Sequence, residues 1–306
     1  MIVIKLSNKR LIISAFVILL IFFITISLVV LKYFQEELNN QTGEKLSIIE
    51  TFKAVATFNF DSELEQELKE IKMKKKINNV TIFYDEEQNE LIPLTIKTLE
   101  WADETVYEVI GNYDKKPVDL MFMNLEEIDR FSELVDVSGF YTDFDKIIGI
   151  HVYQEDIENI MQKKETPLYF FQKSIMHEYG HFATYRKIDE IGVSPSEFPQ
   201  WFLEGIAEYI GNDKTIVEYE SFQFEWLPLQ QISGGNGWQE SRFIEHADPY
   251  LQSYFTINYL LKVYGSNVLM ELMEKTKMTN DFNKALEQVS GKKIVEFEED
   301  IISYYK

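Results

Sequence analysis

The strongest pattern along the chain is an unbroken apolar run at 11–31, LIISAFVILLIFFITISLVVL, which contains no charged residue. As a helix it would span about 31 Å, matching the hydrocarbon core of a bilayer. Lys5, Lys9 and Arg10 precede it, and Lys32, Glu36 and Glu37 follow. The positive-inside rule then puts residues 1–10 in the cytoplasm and the rest of the chain outside the cell. A cleavable signal peptide is the competing reading, but it calls for a shorter apolar region and small residues at the cut site. The run ends in SLVVLKYFQEE, which offers no such site. The expectation is an uncleaved transmembrane helix at 11–31, holding a single-pass protein in the cell membrane.

Beyond the run the pattern changes period. Residues 32–78 read as a juxtamembrane connector that includes a helix at 61–76, DSELEQELKEIKMKKK. Its acids crowd the first turns and its lysines the last, which complements a helix dipole. Lys72 and Lys74 to Lys76 have a second reading, contact with anionic lipid or wall polymer. Strands are predicted at 79–84 and 117–123, with a turn after the first and a helix at 91–111 that stops at Gly111 and Asn112. A short helix at 124–134 follows. Two strand pieces, 137–141 and 146–153, are joined by a turn near Asp143 to Asp145. From about 154 the pattern is helical, with helices predicted near 166–187, 199–210, 248–263, 265–276, 279–289 and 293–305. A β-containing lobe thus precedes a helical lobe, an α+β arrangement.

Composition narrows the function. The chain has 306 residues, 45% hydrophobic and 14% aromatic, enough for a packed core. Its 51 acids against 30 bases give a net charge of −21, which disfavours nucleic acid as a partner because phosphate binding needs clustered positive charge. There is no cysteine, so disulfide scaffolds, thiolate metal sites and cysteine nucleophiles are excluded. Only four histidines are present, and two fall in one short motif.

That motif is His177-Glu178-Tyr179-Gly180-His181. Histidines four apart share one helix face, about 5–6 Å apart at Cβ, close enough to take adjacent corners of a tetrahedral zinc ion. Glu178 sits beside them as a general base, the H-E-x-x-H arrangement of zinc metallopeptidases. On a helical wheel Leu168, Phe171, Ile175, Tyr179 and Phe182 make an apolar seat, while Phe170, Ser174, His177 and His181 make a second face. Gln172, Lys173, Glu178 and Arg186 interrupt the helix, so it is not a membrane span. Downstream, residues 199–211 read PQWFLEGIAEYIG, a helix with Trp201, Glu204 and Glu208 on one face. A carboxylate on an apolar stripe is costly unless it is paired or bound to metal. Glu204 completes a His₂Glu set, the open pattern that leaves one zinc position for water.

HEYGH followed by WFLEGIAEY resembles the gluzincin branch of thermolysin-like metallopeptidases, in particular bacterial peptidase MA-like domains, over about residues 79–305. The resemblance implies a zincin-like fold at 79–306, one Zn²⁺ held by His177, His181 and Glu204, and a peptide or protein substrate. It also implies that Glu208, one turn beyond the ligand, orients a metal-bound histidine. The interval between His181 and Glu204 is longer than in the best-known members, which places the difference in the loop at 188–198. GFY…IIGIHV is similar to the family's edge strand, where an extended peptide would lie; an ordinary edge strand is the plainer reading. Related enzymes use a tyrosine or histidine to stabilise the oxyanion, for which the candidates are Tyr254, Tyr250 and His246. Residues 233–237, SGGNG, read as a connector or a lid hinge, and His151 as structural. No G-x-M-E-N exopeptidase motif is present on the edge strand, so cleavage within chains is preferred over trimming. The rival from another class is a non-catalytic surface binding or sensor module on a metallopeptidase fold.

Overall fold

The computed structural model describes residues 8–42, 47–57, 61–131 and 138–306. They fall into two compact units, Met1–Ile71 and Lys72–Lys306. The first unit is helical. Its α1 (Asn8–Thr42) contains the apolar run and continues past it. Within it Ala15–Glu36, with mean hydropathy 2.8, is long and apolar enough to cross a membrane. Residues 1–7, including Lys5 of the basic flank, lie outside the described residues. α2 (Ile48–Thr57) opens at Ser47, whose Oγ accepts the Glu50 amide at 3.2 Å while the Glu50 carboxylate accepts the Ser47 amide at 2.6 Å. This reciprocal cap satisfies two amides that the first turn leaves unpaired. α3 (Glu63–Ile71) opens similarly, with Ser62 Oγ accepting the Glu65 amide at 3.1 Å.

The helix expected over 61–76 stops short. β1 (Met73–Ile77) carries its lysines into a strand antiparallel to β2 (Val80–Tyr84), with Ile77 opposite Val80. The cause is the two-residue turn between them. Asn78 sits at φ 51°, the left-handed backbone that tight hairpins need and that asparagine tolerates. The dipole role expected of Lys74 to Lys76 falls with that helix. Lys72 is buried against Asp85 at 2.7 Å and Glu127 at 3.5 Å, whereas Lys74, Lys75 and Lys76 are exposed.

The second unit, which begins at Lys72 rather than at 79, contains β1, β2 and everything after them. A 3-10 turn at Glu86–Leu91 leads into α4 (Ile92–Ile110), which ends at Gly111. Then come β3 (Val118–Met123), α5 (Leu125–Phe131), β4 (Gly139–Thr142) and β5 (Ile147–His151). The five strands form one sheet in the order β1-β2-β3-β5-β4. β2, β3 and β5 run parallel, and each outer strand is antiparallel to its neighbour. Only Gly139–Thr142 of the expected edge segment is at an edge; β5 lies inside, between β3 and β4. Residue 137 and the expected helix tail at 132–134 lie outside the described residues.

The helical half follows the predicted pattern closely: α6 (Asp156–Met161), α7 (Glu165–Ile191), α8 (Gln200–Gly211), α9 (Gly235–Ser241), α10 (Pro249–Tyr264), α11 (Val268–Thr279), α12 (Phe282–Ser290) and α13 (Ile294–Tyr305). The short α6 and α9 were not expected as separate helices, and SGGNG supplies the start of α9. The result is a mixed α+β unit, mostly helical. The long interval before Glu204 is absorbed by extra turns of α7, a left-handed stop at Gly192 and one 3-10 turn at Pro195–Glu197.

α7 is the central member. It lies against α4, β4 and β5 on one side and α8 on the other, and α8 in turn packs on α10. The apolar seat expected from the sequence is real: Phe171, Ile175, Tyr179 and Phe182 are buried, with Phe171 against Phe122 of β3. Tyr179 also joins hydroxyls with Tyr113 at 2.7 Å, beside the Asp103 carboxylate. On the far side of α8, Gly205 permits a close crossing. A Cβ there would stand 2.6 Å from the Ser253 carbonyl oxygen and from Ile257 Cγ1 of α10. Gly205→Ala is therefore expected to destabilise the unit by about 1–3 kcal/mol through overpacking, measured as a lower midpoint in denaturant with an unchanged slope.

Candidate metal centre

Helix geometry brings three donor atoms to one point. His177 and His181 project from consecutive turns of α7, and their Nε2 atoms are 3.1 Å apart. Glu204, from the facing helix α8, places Oε2 at 3.5 Å from His177 Nε2 and 3.4 Å from His181 Nε2. All three residues are buried. Donors at about 2.0–2.1 Å from a tetrahedral zinc ion stand about 3.3 Å from one another, so this near-equilateral triangle has the dimensions of one tetrahedral face. Its chemistry fits as well, because imidazole nitrogens and a carboxylate oxygen crowd together at these distances only when a proton or a metal cation lies among them.

Two of the three donors, His177 and Glu204, are held from behind. Glu208 Oε1 accepts His177 Nδ1–H at 3.1 Å, which fixes the ring and turns Nε2 toward the other two donors. Lys173 Nζ meets the other Glu208 oxygen at 2.8 Å. Gln200 Nε2 donates to Glu204 Oε1 at 2.9 Å, turning Oε2 toward the imidazoles. Lys173 and Gln200 escaped the sequence reading. Both stand one helical turn before a ligand, His177 and Glu204 respectively, so the same four-residue spacing that found the ligands points to them.

The electrostatics favour a divalent cation. Glu178, Glu204 and Glu208 are buried together, and Lys173 offsets one charge. Asp248 and Arg242, which also line the cleft, cancel each other. Before the histidines are counted two negative charges remain, and protonated His177 offsets one of them; the other is costly in a poorly solvated site unless matched. Burial alone would push the His177 pKa down, but the hydrogen bonds that Glu204 and Glu208 accept from the ring outweigh it and hold the imidazole protonated above its ordinary value of 6.5. Burial pushes the Glu178 carboxyl up, against the pull of the two histidines, which makes it a stronger base than an exposed glutamate.

On the His177 side of the triangle lies a cleft of about 320 Å³. Glu178 lies along it with Gly139 of β4, where a Cβ would stand 3.1 Å from Glu178 Cγ and Oε1. The tyrosine and histidine candidates separate clearly. Tyr250 lines the cleft, its ring 6.3 Å from His177 and edge-on to Trp238 at 5.1 Å. Tyr254, one turn deeper along α10, is the first correction: its hydroxyl faces Asn212 at 3.4 Å and its ring stacks on Tyr209, in a different cavity. His246 is the second. Its side chain is 79% exposed, beside Glu245 in a left-handed turn at φ 68°, and it does not line the cleft. His151 packs edge-on against Tyr153, likewise outside the cleft. Arg242 and Asp248 were missed because they come from the 241–248 connection, where no periodicity marks them.

Fold and site together define an α+β unit with a buried His₂Glu donor set, joined to a helix of membrane-spanning length. No family model matches the chain. It is 32% identical over 237 residues to the uncharacterized protein YhcO of Bacillus subtilis (strain 168), a match that takes in 77% of this chain and 72% of that protein. The chain belongs to the family of that protein.

Because a metal must displace the proton that His177 holds, affinity is expected to rise with pH up to about 10, with proton release on binding. Zinc titration calorimetry in buffers of differing ionisation enthalpy checks this. Glu204→Ala should abolish stoichiometric binding. Glu208→Ala should weaken it by about 10- to 100-fold.

Proposed function

We propose that this chain is a membrane-anchored, outward-facing zinc peptidase of the gluzincin type that cleaves within peptide chains. The observation that carries the proposal is the triangle of His177, His181 and Glu204 donor atoms, 3.1–3.5 Å on a side, with Glu178 lining the cleft that His177 also lines. His177, His181 and Glu204 would hold Zn²⁺, and the ion when bound would supply a Lewis acid for water and for the scissile carbonyl.

Glu178 takes the proton of the attacking water and returns it to the leaving amine. Its buried position raises its basicity. Tyr250, the one candidate donor in the cleft, gives its hydroxyl proton as a hydrogen bond to the carbonyl oxygen as charge develops there. The outer edge of β4 has no strand partner among the described residues, so an extended peptide can add to it by backbone hydrogen bonds. Gly139 lets Glu178 pack directly against the β4 backbone, which brings the carboxylate beside that edge. The H-E-x-x-H helix packed under a mixed sheet, with the glutamate helix alongside, agrees with a zincin fold.

The α1 helix, with Lys9 and Arg10 before its apolar stretch, supports a bilayer anchor with the N-terminus in the cytoplasm. The chain lacks cysteine, so one introduced thiol is a unique probe. Lys75→Cys, on the exposed face of β1, is expected to react in intact cells with a membrane-impermeant maleimide. Labelling only after lysis would reverse the orientation.

The catalytic test uses the full chain in detergent, loaded with zinc, and a library of internally quenched peptides. Wild type is expected to cleave them. Glu178→Gln is expected to keep its zinc and lose about 10²- to 10⁴-fold in rate. Zinc bound without hydrolysis in wild type would instead favour the binding or sensor module.

A further inference from the structure

A second cavity, of about 370 Å³, lies apart from the metal cleft. It is within the size range of small-ligand sites. Three tyrosines build its wall. Tyr209 of α8 and Tyr254 of α10 lie nearly parallel, 5.9 Å apart at 24°, and Tyr219 from the irregular 212–234 segment stands edge-on to Tyr254 at 5.3 Å. Aromatic faces attract cations through their quadrupole. One cation is already there: Lys214 Nζ sits 3.6 Å from the centre of the Tyr209 ring. Glu108 and Glu218 line the same cavity with Lys262.

We infer that this cavity is a binding site for a primary ammonium on an alkyl chain, and that Lys214 is its intramolecular occupant. Charge balance sets the ligand's sign. With Lys214 seated, two lysines face two glutamates. With Lys214 released to solvent, the cavity holds two carboxylates against one ammonium, and a single positive charge restores neutrality. An alkylammonium reproduces what the Lys214 side chain does on the Tyr209 face, whereas an anion would meet both glutamates. The chain that carries Lys214 has no helix or strand over residues 212–234, so its release breaks no regular ladder. Tyr209 directly follows Glu208, and Tyr254 faces Asn212 at the end of α8. The site therefore shares α8 with the donor set but none of its donor residues.

Two sources of this chemistry are separable: the lysine side chain of a peptide, and a free diamine. The full chain in detergent, with its tyrosines fluorinated and Tyr209 assigned through Tyr209→Phe, is titrated by fluorine NMR with N-acetyl-lysine methylamide, with cadaverine and with uncharged N-acetyl-norleucine methylamide. Saturable shifts of the Tyr209 signal with either amine, and none with the norleucine compound, are expected; the tighter amine identifies the source. Lys214→Ala removes the internal competitor and is expected to tighten binding by about two- to fivefold, the worth of an exposed cation–π contact. Tyr209→Leu is expected to abolish it. Equal binding of the norleucine compound, no saturable shift with either amine, or unchanged affinity in Lys214→Ala would overturn the proposal. None of these readouts depends on zinc or on hydrolysis.

Discussion

The second unit is arranged around a crowding that the fold sustains: two imidazole nitrogens and a carboxylate oxygen held within 3.5 Å of one another. Left to themselves these groups would separate into water. They stay because α7 is fixed on its apolar side by the sheet and α4, while α8 is pressed against it from the other side by α10. Hydrophobic packing thus supplies the force that keeps the donors converged, and the ring of Glu208, Lys173 and Gln200 supplies their direction. The pieces are separable in kind. Packing sets the distance between the helices, and the surrounding hydrogen bonds set which atom of each side chain points inward.

The same packing divides the tyrosines of α10. Tyr250 lies in the first turn, at the rim where α10 meets the cleft, and it is free to face His177. One turn on, α10 has passed beneath α8, and Tyr254 is drawn into the aromatic wall with Tyr209 and Tyr219. The crossing that makes this possible depends on Gly205, where α8 touches the α10 backbone. A small residue at the crossing therefore has effects on both sides of α8, the donor side and the tyrosine side.

The candidate site was legible because its signal is local. HEYGH brings two imidazoles and a carboxylate from one helical repeat, and WFLEGIAEY brings Glu204 and Glu208 from another. The helix positions were legible for the same reason, since an apolar stripe is a property of consecutive residues. Three things were not. The β1–β2 hairpin hid in a lysine-rich run that reads equally well as the end of a helix, and only pairing with VTIFY decides between them. The choice between Tyr250 and Tyr254 depends on where α10 crosses α8, which no spacing encodes. Arg242 and Asp248 reach the cleft from an irregular connection, so nothing in their neighbours announces them.

The two margins of the sheet are chemically unlike. β1 presents Lys74, Lys75 and Lys76 to solvent, and charged lysines on an outer strand discourage any other chain from docking there. β4, beside Glu178, presents Gly139-Phe140-Tyr141-Thr142, with no charge at all. A passing unfolded segment thus meets like charges along one border and none along the other. The lysines protect the molecule from self-association through its far border, so that the safeguard against aggregation is built into one side of the sheet alone.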